Sequence, residues 1–206
     1  MMKPLEPKTL EDYSREELLE LLADAAKNWL AHDGLWFQAV EEECGIDTAI
    51  KLDTATWAKF TVIEAERIMK RLDLKPGGGI PALIKALNFR LYAYINQQEV
   101  IEVSENRCIF RMNTCRVQEA RKRKNLPDFP CKPVGLVEYS NFARTIDQRI
   151  KTRCIACPPD PHSPAYWCAW EFMVATIPSE GLYNLQDRNT YFYCVTAKNI
   201  FLTDIC

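Results

Sequence analysis

Histidine is nearly absent from this chain: two residues in 206. That scarcity excludes a carboxylate-bridged di-iron centre, which takes Glu-x-x-His pairs, so Glu64 and Glu66 are not read as iron ligands. Charge of one sign is absent too. Lys and Arg number 26 against 28 Asp and Glu, a net charge of −2, which argues against a nucleic-acid or anionic-membrane binder. No uninterrupted apolar run approaches the ~18 residues of a membrane span. The opening residues, MMKPLEPKTLEDYSREE, lack the apolar core of a secretory signal, so a cytoplasmic protein is expected. The segment Lys75-Pro-Gly-Gly-Gly-Ile-Pro81 lacks the Gly-Lys-Ser/Thr of a phosphate loop and the spacing of a dinucleotide fingerprint. It reads as a linker.

Cysteine, by contrast, is plentiful, at nine residues. In a reducing compartment these are buried thiols, metal ligands or redox groups rather than structural disulfides. Six of them fall between Arg107 and Phe172. Cys115 opens an expected helix directly after a strand, and Cys131 precedes Lys132-Pro133, where Pro favours the first position of a helix. A thiol at a helix N-terminus is drawn toward thiolate by the helix dipole. Cys115 and Cys131 are therefore candidate nucleophiles, with Glu119 or Glu138 as proton acceptor. A Cys–His dyad would need His32 or His162 brought in by the fold. For any one of these cysteines, plain packing in a buried cluster remains the commoner role.

Along the chain, Ser14-x-x-Glu17 has the spacing of a capping box and starts the first helix. Its apolar stripe runs from Leu18 through Trp29, Trp36, Phe37 and Val40 to about Cys44. Asp33 falls on that stripe. With Gly34 it either marks a helix break and caps the next turn, which capping preference favours, or faces a ligand cleft. A second helix is expected over 47–72 and a third over about 81–96. The period then changes to two. Residues 99–104 and 107–112 form a hairpin about Glu105-Asn106, with Val103 opposite Cys108 and Ile101 opposite Phe110. Helices follow over 114–124 and from Pro133 to about Arg144. The basic run Arg121–Lys124 suits a helix C-terminus better than a nucleic-acid patch.

A second hairpin is expected from 145–156 and 166–176, setting Cys154 opposite Cys168, Thr152 opposite Trp170 and Ile150 opposite Phe172. Its loop carries four prolines. Cys154-x-x-Cys157 with Cys168 and His162 has the donors for zinc or iron, Cys115 and Cys131 completing the ligand pool. A thioredoxin-type role fits less well, since no helix follows Cys157. The runs TYFYCV and NIFLTD near the C-terminus, the first carrying Cys194, read as further strands.

These residues carry a resemblance. A strand leading to Cys115-Arg-Val-Gln-Glu-Ala, Phe129-Pro-Cys131 before a helix, Lys151-Thr-Arg-Cys154, Trp167-Cys-Ala-Trp-Glu-Phe172 and His32-Asp-Gly-Leu-Trp-Phe37 together resemble an uncharacterised family of cytosolic proteins from anaerobic prokaryotes. That family is related to the L-2-amino-thiazoline-4-carboxylic acid hydrolases, and more distantly to 4-vinyl-reductase-like small-molecule-binding domains. The resemblance implies an α+β fold, an antiparallel sheet with helices packed on it after an N-terminal helical segment. Residues 1–76 would form that segment and 77–206 the cysteine-rich domain, as two parts or as one compact unit. It implies a small-molecule ligand or substrate held in a cleft of cysteines and aromatics, with Asp33, Trp36 and Trp170 as ligand-binding residues. Hydrolysis of a small cyclic or amide-like compound is the expected activity. The alternative is a non-catalytic ligand or metal sensor; a homo-oligomer is compatible with either.

Overall fold

The computed structural model describes residues 9–174. Ser14 caps α1 (Arg15–Cys44), its hydroxyl accepting from the Glu17 amide at 3.1 Å while Glu17 accepts from the Ser14 amide at 2.8 Å. Gly45, at φ 82°, makes the turn into α2 (Ile46–Leu72), which ends on Asp73 in the left-handed region. α3 (Gly79–Leu87) leads through a 3-10 turn at Leu91–Tyr94 to β1 (Gln98–Ile101) and β2 (Arg107–Met112). Then come α4 (Arg116–Arg123), α5 (Lys132–Ile146), β3 (Ile150–Ala156) and β4 (Cys168–Val174). The expected α+β class holds. The four strands form one antiparallel sheet in the order β1-β2-β4-β3.

α5 lies between the sheet and α2. Its apolar side, Tyr139, Phe142 and Ile146, meets Phe110, Trp170 and Phe172 from the strands, and α3 and the end of α2 close the core with Leu83, Leu87 and Ile68. Gly135 is what lets α5 approach: a Cβ there would stand 2.6 Å from Trp170 Cζ2. Gly34 does not break α1. One helical glycine costs roughly 1 kcal/mol against alanine, too little to interrupt a helix whose Trp29 and Phe37, on either side, pack in one cluster against α2.

Three expectations need correction. The third helix stops at Leu87, because Arg90 adopts extended backbone and buries its guanidinium between α2 and α5. In the first hairpin the register is Val100↔Phe110 and Ile101↔Ile109, one residue from the expected pairing. Glu102 turns into the left-handed region and binds Arg107 at 2.6 Å, so the turn begins early and Val103 is left exposed. In the second hairpin Cys154 faces Trp170 and Thr152 faces Phe172, while Cys168 pairs with Met112 of β2. That slip of two keeps the faces but separates the expected cysteine pair. The strand-like runs at the C-terminus, with Cys194 and Cys206, lie outside the described residues.

Candidate functional site

A cavity of about 400 Å³ opens between α1, α2, α4, α5 and the ends of β2 and β4. Six aromatic rings line it: Phe37, Trp57, Tyr92, Phe129, Tyr139 and Trp170. Four thiols reach it from separate elements: Cys115 before α4, Cys131 before α5, Cys157 after β3 and Cys168 at the start of β4. Loop packing brings them together. The Lys132 amide donates to the Pro158 carbonyl at 2.9 Å, tying the start of α5 to the proline-rich loop that follows Cys157.

Three of the sulfurs form a row. Cys157 stands between the other two, within hydrogen-bonding reach of Cys168 and of Cys131. Cys131 also accepts from Gln118 Nε2 at 3.0 Å, which makes it the sulfur best placed to carry negative charge. Gln118 is fully buried and held by Phe129, donating to its carbonyl and accepting from its amide, both at 2.8 Å. The thiols are nonetheless held protonated. Burial pushes Cys115 up to about 12, although the amides of Gln118 and Val117 pull the other way. At Cys131 the bond with Cys157 favours the thiolate, but burial and the Cys115 and Cys168 thiols outweigh it and the net shift is upward. Cys168 is raised by its bond with Cys157 and by burial. The thiolate expected from the helix dipole is therefore overturned, because a dipole contributes about 1 kcal/mol and desolvation more than that.

Carboxylates form the opposite wall. Asp33 of α1, Asp53 of α2 and Glu138 of α5 all line the cavity. Burial raises each; Asp53, at about 7, is lifted further by Asp33 and Glu138, and Glu138 by Glu64 and Asp33. Behind Glu138 lies Arg90, 2 % exposed, with Nε 2.8 Å from Glu64. Its Nη2 is 2.7 Å from Glu138 Oε1 but off the direction a hydrogen bond needs, so both atoms remain without a hydrogen-bond partner. Trp170 Nε1 is also buried and unpartnered. It lies toward Cys168, where it favours the thiolate.

The cavity thus gathers Cys115, Cys131, Cys157, Cys168, Glu138, Asp33 and Trp170 from the expected site residues. Trp36 is not among them. It is 69 % exposed, on the opposite side of α1 from the cavity, and its neighbour Phe37 takes the wall position. Glu119 does not line the cavity either, although its charge raises Cys115. The set Cys154, Cys157, Cys168 and His162 is not assembled for zinc or iron. Cys154 stays on β3, and His162 Nδ1 donates to the carbonyls of Ser163 and Tyr166, both at 2.9 Å. The thiols touch in pairs, and among the described residues no three His, Cys, Asp or Glu side chains converge on a point that could hold a metal ion. Sequence reasoning missed Asp53, Arg90 and Gln118. Gln118 sits one turn into the helix that Cys115 opens, a polar residue between Val117 and Ala120, and that was its one local signal.

The agreement between this site and the sequence extends to family. Residues 11–174, nearly the whole described region, match a family of unknown function, DUF6125. The chain belongs to that family. No curated protein and no solved structure matches it. Among the described residues no helix is long and apolar enough to cross a membrane.

Proposed function

We propose that this member of DUF6125 is a cytoplasmic protein that binds a small organic molecule in the thiol- and carboxylate-lined cavity and hydrolyses it. The observation that carries this reading is the convergence, in one aromatic-walled space of about 400 Å³, of four reduced thiols with three carboxylates whose proton affinities are raised. Ligand pockets are apolar chambers with a few placed polar groups, and a carboxyl near 7 both gives and takes a proton at neutral pH. Cys131, which accepts from Gln118 Nε2, is the candidate nucleophile; Asp53 and Glu138 are the candidate proton carriers. The resemblance to the L-2-amino-thiazoline-4-carboxylic acid hydrolases supports a small cyclic or amide-like substrate.

The alternative is binding without turnover, as in a sensor. What favours it is the upward shift of Cys115, Cys131 and Cys168, which keeps the thiols neutral in the empty cavity. Incubation with a panel of thiazoline carboxylates and cyclic amides separates the two. Ring opening that disappears in Cys131→Ala supports the hydrolase. Protection of Cys131 from alkylation without ring opening supports the sensor. Neither turnover nor protection with any compound sinks both.

A further inference from the structure

The cavity divides by charge. Its interior carries Asp33, Asp53 and Glu138. The cations that share its lining are engaged elsewhere or stand at the mouth. Arg121 forks onto Glu41 at 2.8 and 3.0 Å, Lys124 donates to Gln38 at 2.6 Å, and Lys27 to Asp24 at 3.0 Å. Arg116 and Arg123 are exposed, where an ion pair contributes little. Behind the wall Arg90 offsets Glu64 and Glu138, and among the described residues no Lys or Arg pairs with Asp33 or Asp53. The same wall already holds one cation against its rings. The Arg90 guanidinium sits 5.5 Å from the Tyr92 and Tyr139 ring centres and 5.9 Å from Trp57. Of the buried polar atoms in the lining, Trp170 Nε1 lacks a hydrogen-bond partner, and Glu138 Oε1 has the Arg90 ion pair at 2.7 Å but no well-directed hydrogen bond.

We propose that the ligand of this cavity carries an organic cation, an ammonium or amidinium head, seated between Asp33, Asp53 and Glu138 against the aromatic wall. This rests on the small-molecule reading above and specifies its ligand class. A carboxylate cluster in which Glu138 is buried and Asp33 and Asp53 are half-buried is costly while ionised and unpaired; a planar or compact cation relieves the mutual repulsion and donates charge-assisted hydrogen bonds to the acids. The aromatic faces add attraction for the same charge.

Three aromatic probes of one shape test the charge: benzamidine, benzamide and benzoate, titrated into the purified chain by calorimetry at pH 8. Benzamidine is expected to bind at least about ten-fold more tightly than benzamide, the difference a desolvated charge pair makes, and benzoate not at all. In Asp53→Asn that preference should fall to near unity. The unmodified chain gives a second readout. The groups around the head are His32 and Asp33 of α1, Asp53 and Glu64 of α2, Arg90, Glu138 of α5, and the Cys115 and Cys168 thiols. Of these, Asp53 titrates near 7, and binding a cation requires its carboxylate. Benzamidine affinity should therefore weaken about five-fold or more from pH 8 to pH 6, while benzamide affinity stays flat. Benzamide binding as tightly as benzamidine, or benzoate binding best, would overturn the cation and leave the small-molecule reading standing. Benzamidine binding that ignores both Asp53→Asn and pH would be surface binding and overturns it equally. No heat from any probe, with no protection of Cys131, would remove both readings.

Discussion

At the scale of single residues, burial decides what charge and thiol chemistry can do here. Cys44 is exposed at the end of α1, whereas Cys115 is pushed up to about 12 by burial. Iodoacetamide at neutral pH should therefore label Cys44 about ten-fold or more ahead of Cys115, since thiolate fraction and access set the rate; peptide mass spectrometry resolves the two. Arg90 is the residue whose loss should hurt most. Arg90→Met would leave Glu64 and Glu138 buried without their cation, which costs about 3–5 kcal/mol, measurable as a lowered urea midpoint. Asp53 works in the other direction. Its folded pKa, about 7, lies above the ordinary value of 3.8, so the folded state binds more protons than the unfolded state between them. The stability that Asp53 contributes is then fully present below about 4, declines as pH rises toward 7, and is lost above it. Asp53→Asn should remove that decline and stabilise the empty protein at pH 8 by on the order of 1–3 kcal/mol, checked by melts at pH 5 and pH 8.

Elements are set by contacts that cross between them. Gly135 shows this most directly. Alanine is the better helix former by roughly 1 kcal/mol, yet its Cβ would meet Trp170 Cζ2 at 2.6 Å. Because Trp170 is fully buried between α5 and the strands, neither partner can move cheaply. Gly135→Ala should destabilise by about 1–3 kcal/mol and narrow the cavity, which thermal melts and benzamidine titration would register together. α1 behaves differently along its length. Leu18, Leu19, Leu21 and Leu22 are exposed, and its two buried residues, Ala26 and Leu30, come later. Amides before Ala26 should exchange with deuterium well ahead of those after it. The helix periods and the Ser14 cap were legible in the sequence because they are local. The hairpin registers were not: they depend on where Glu102 turns and on the bulge between Cys154 and Ala156, which pattern alone does not locate.

For the molecule as a whole, the cysteines announced the site, with Asp33 and Glu138 as candidates beside them, and Asp53 did not. Cys115, Cys131, Cys157 and Cys168 stand out because thiols are rare and each sits next to a helix start or a proline loop. Asp53 looks like any surface carboxylate on an amphipathic helix; only the packing of α2 on α5 brings it to the cavity with Glu138. That packing has a further consequence. The cavity has no wall that belongs to one end of the chain. Asp33, Phe37, Asp53 and Trp57 precede the Lys75–Gly78 linker between α2 and α3, and all four thiols, Glu138 and Trp170 follow it. A chain cut in that linker would leave each fragment with half a binding site. Benzamidine binding would then report whether the two fragments had found each other, making this site a natural sensor of its own assembly.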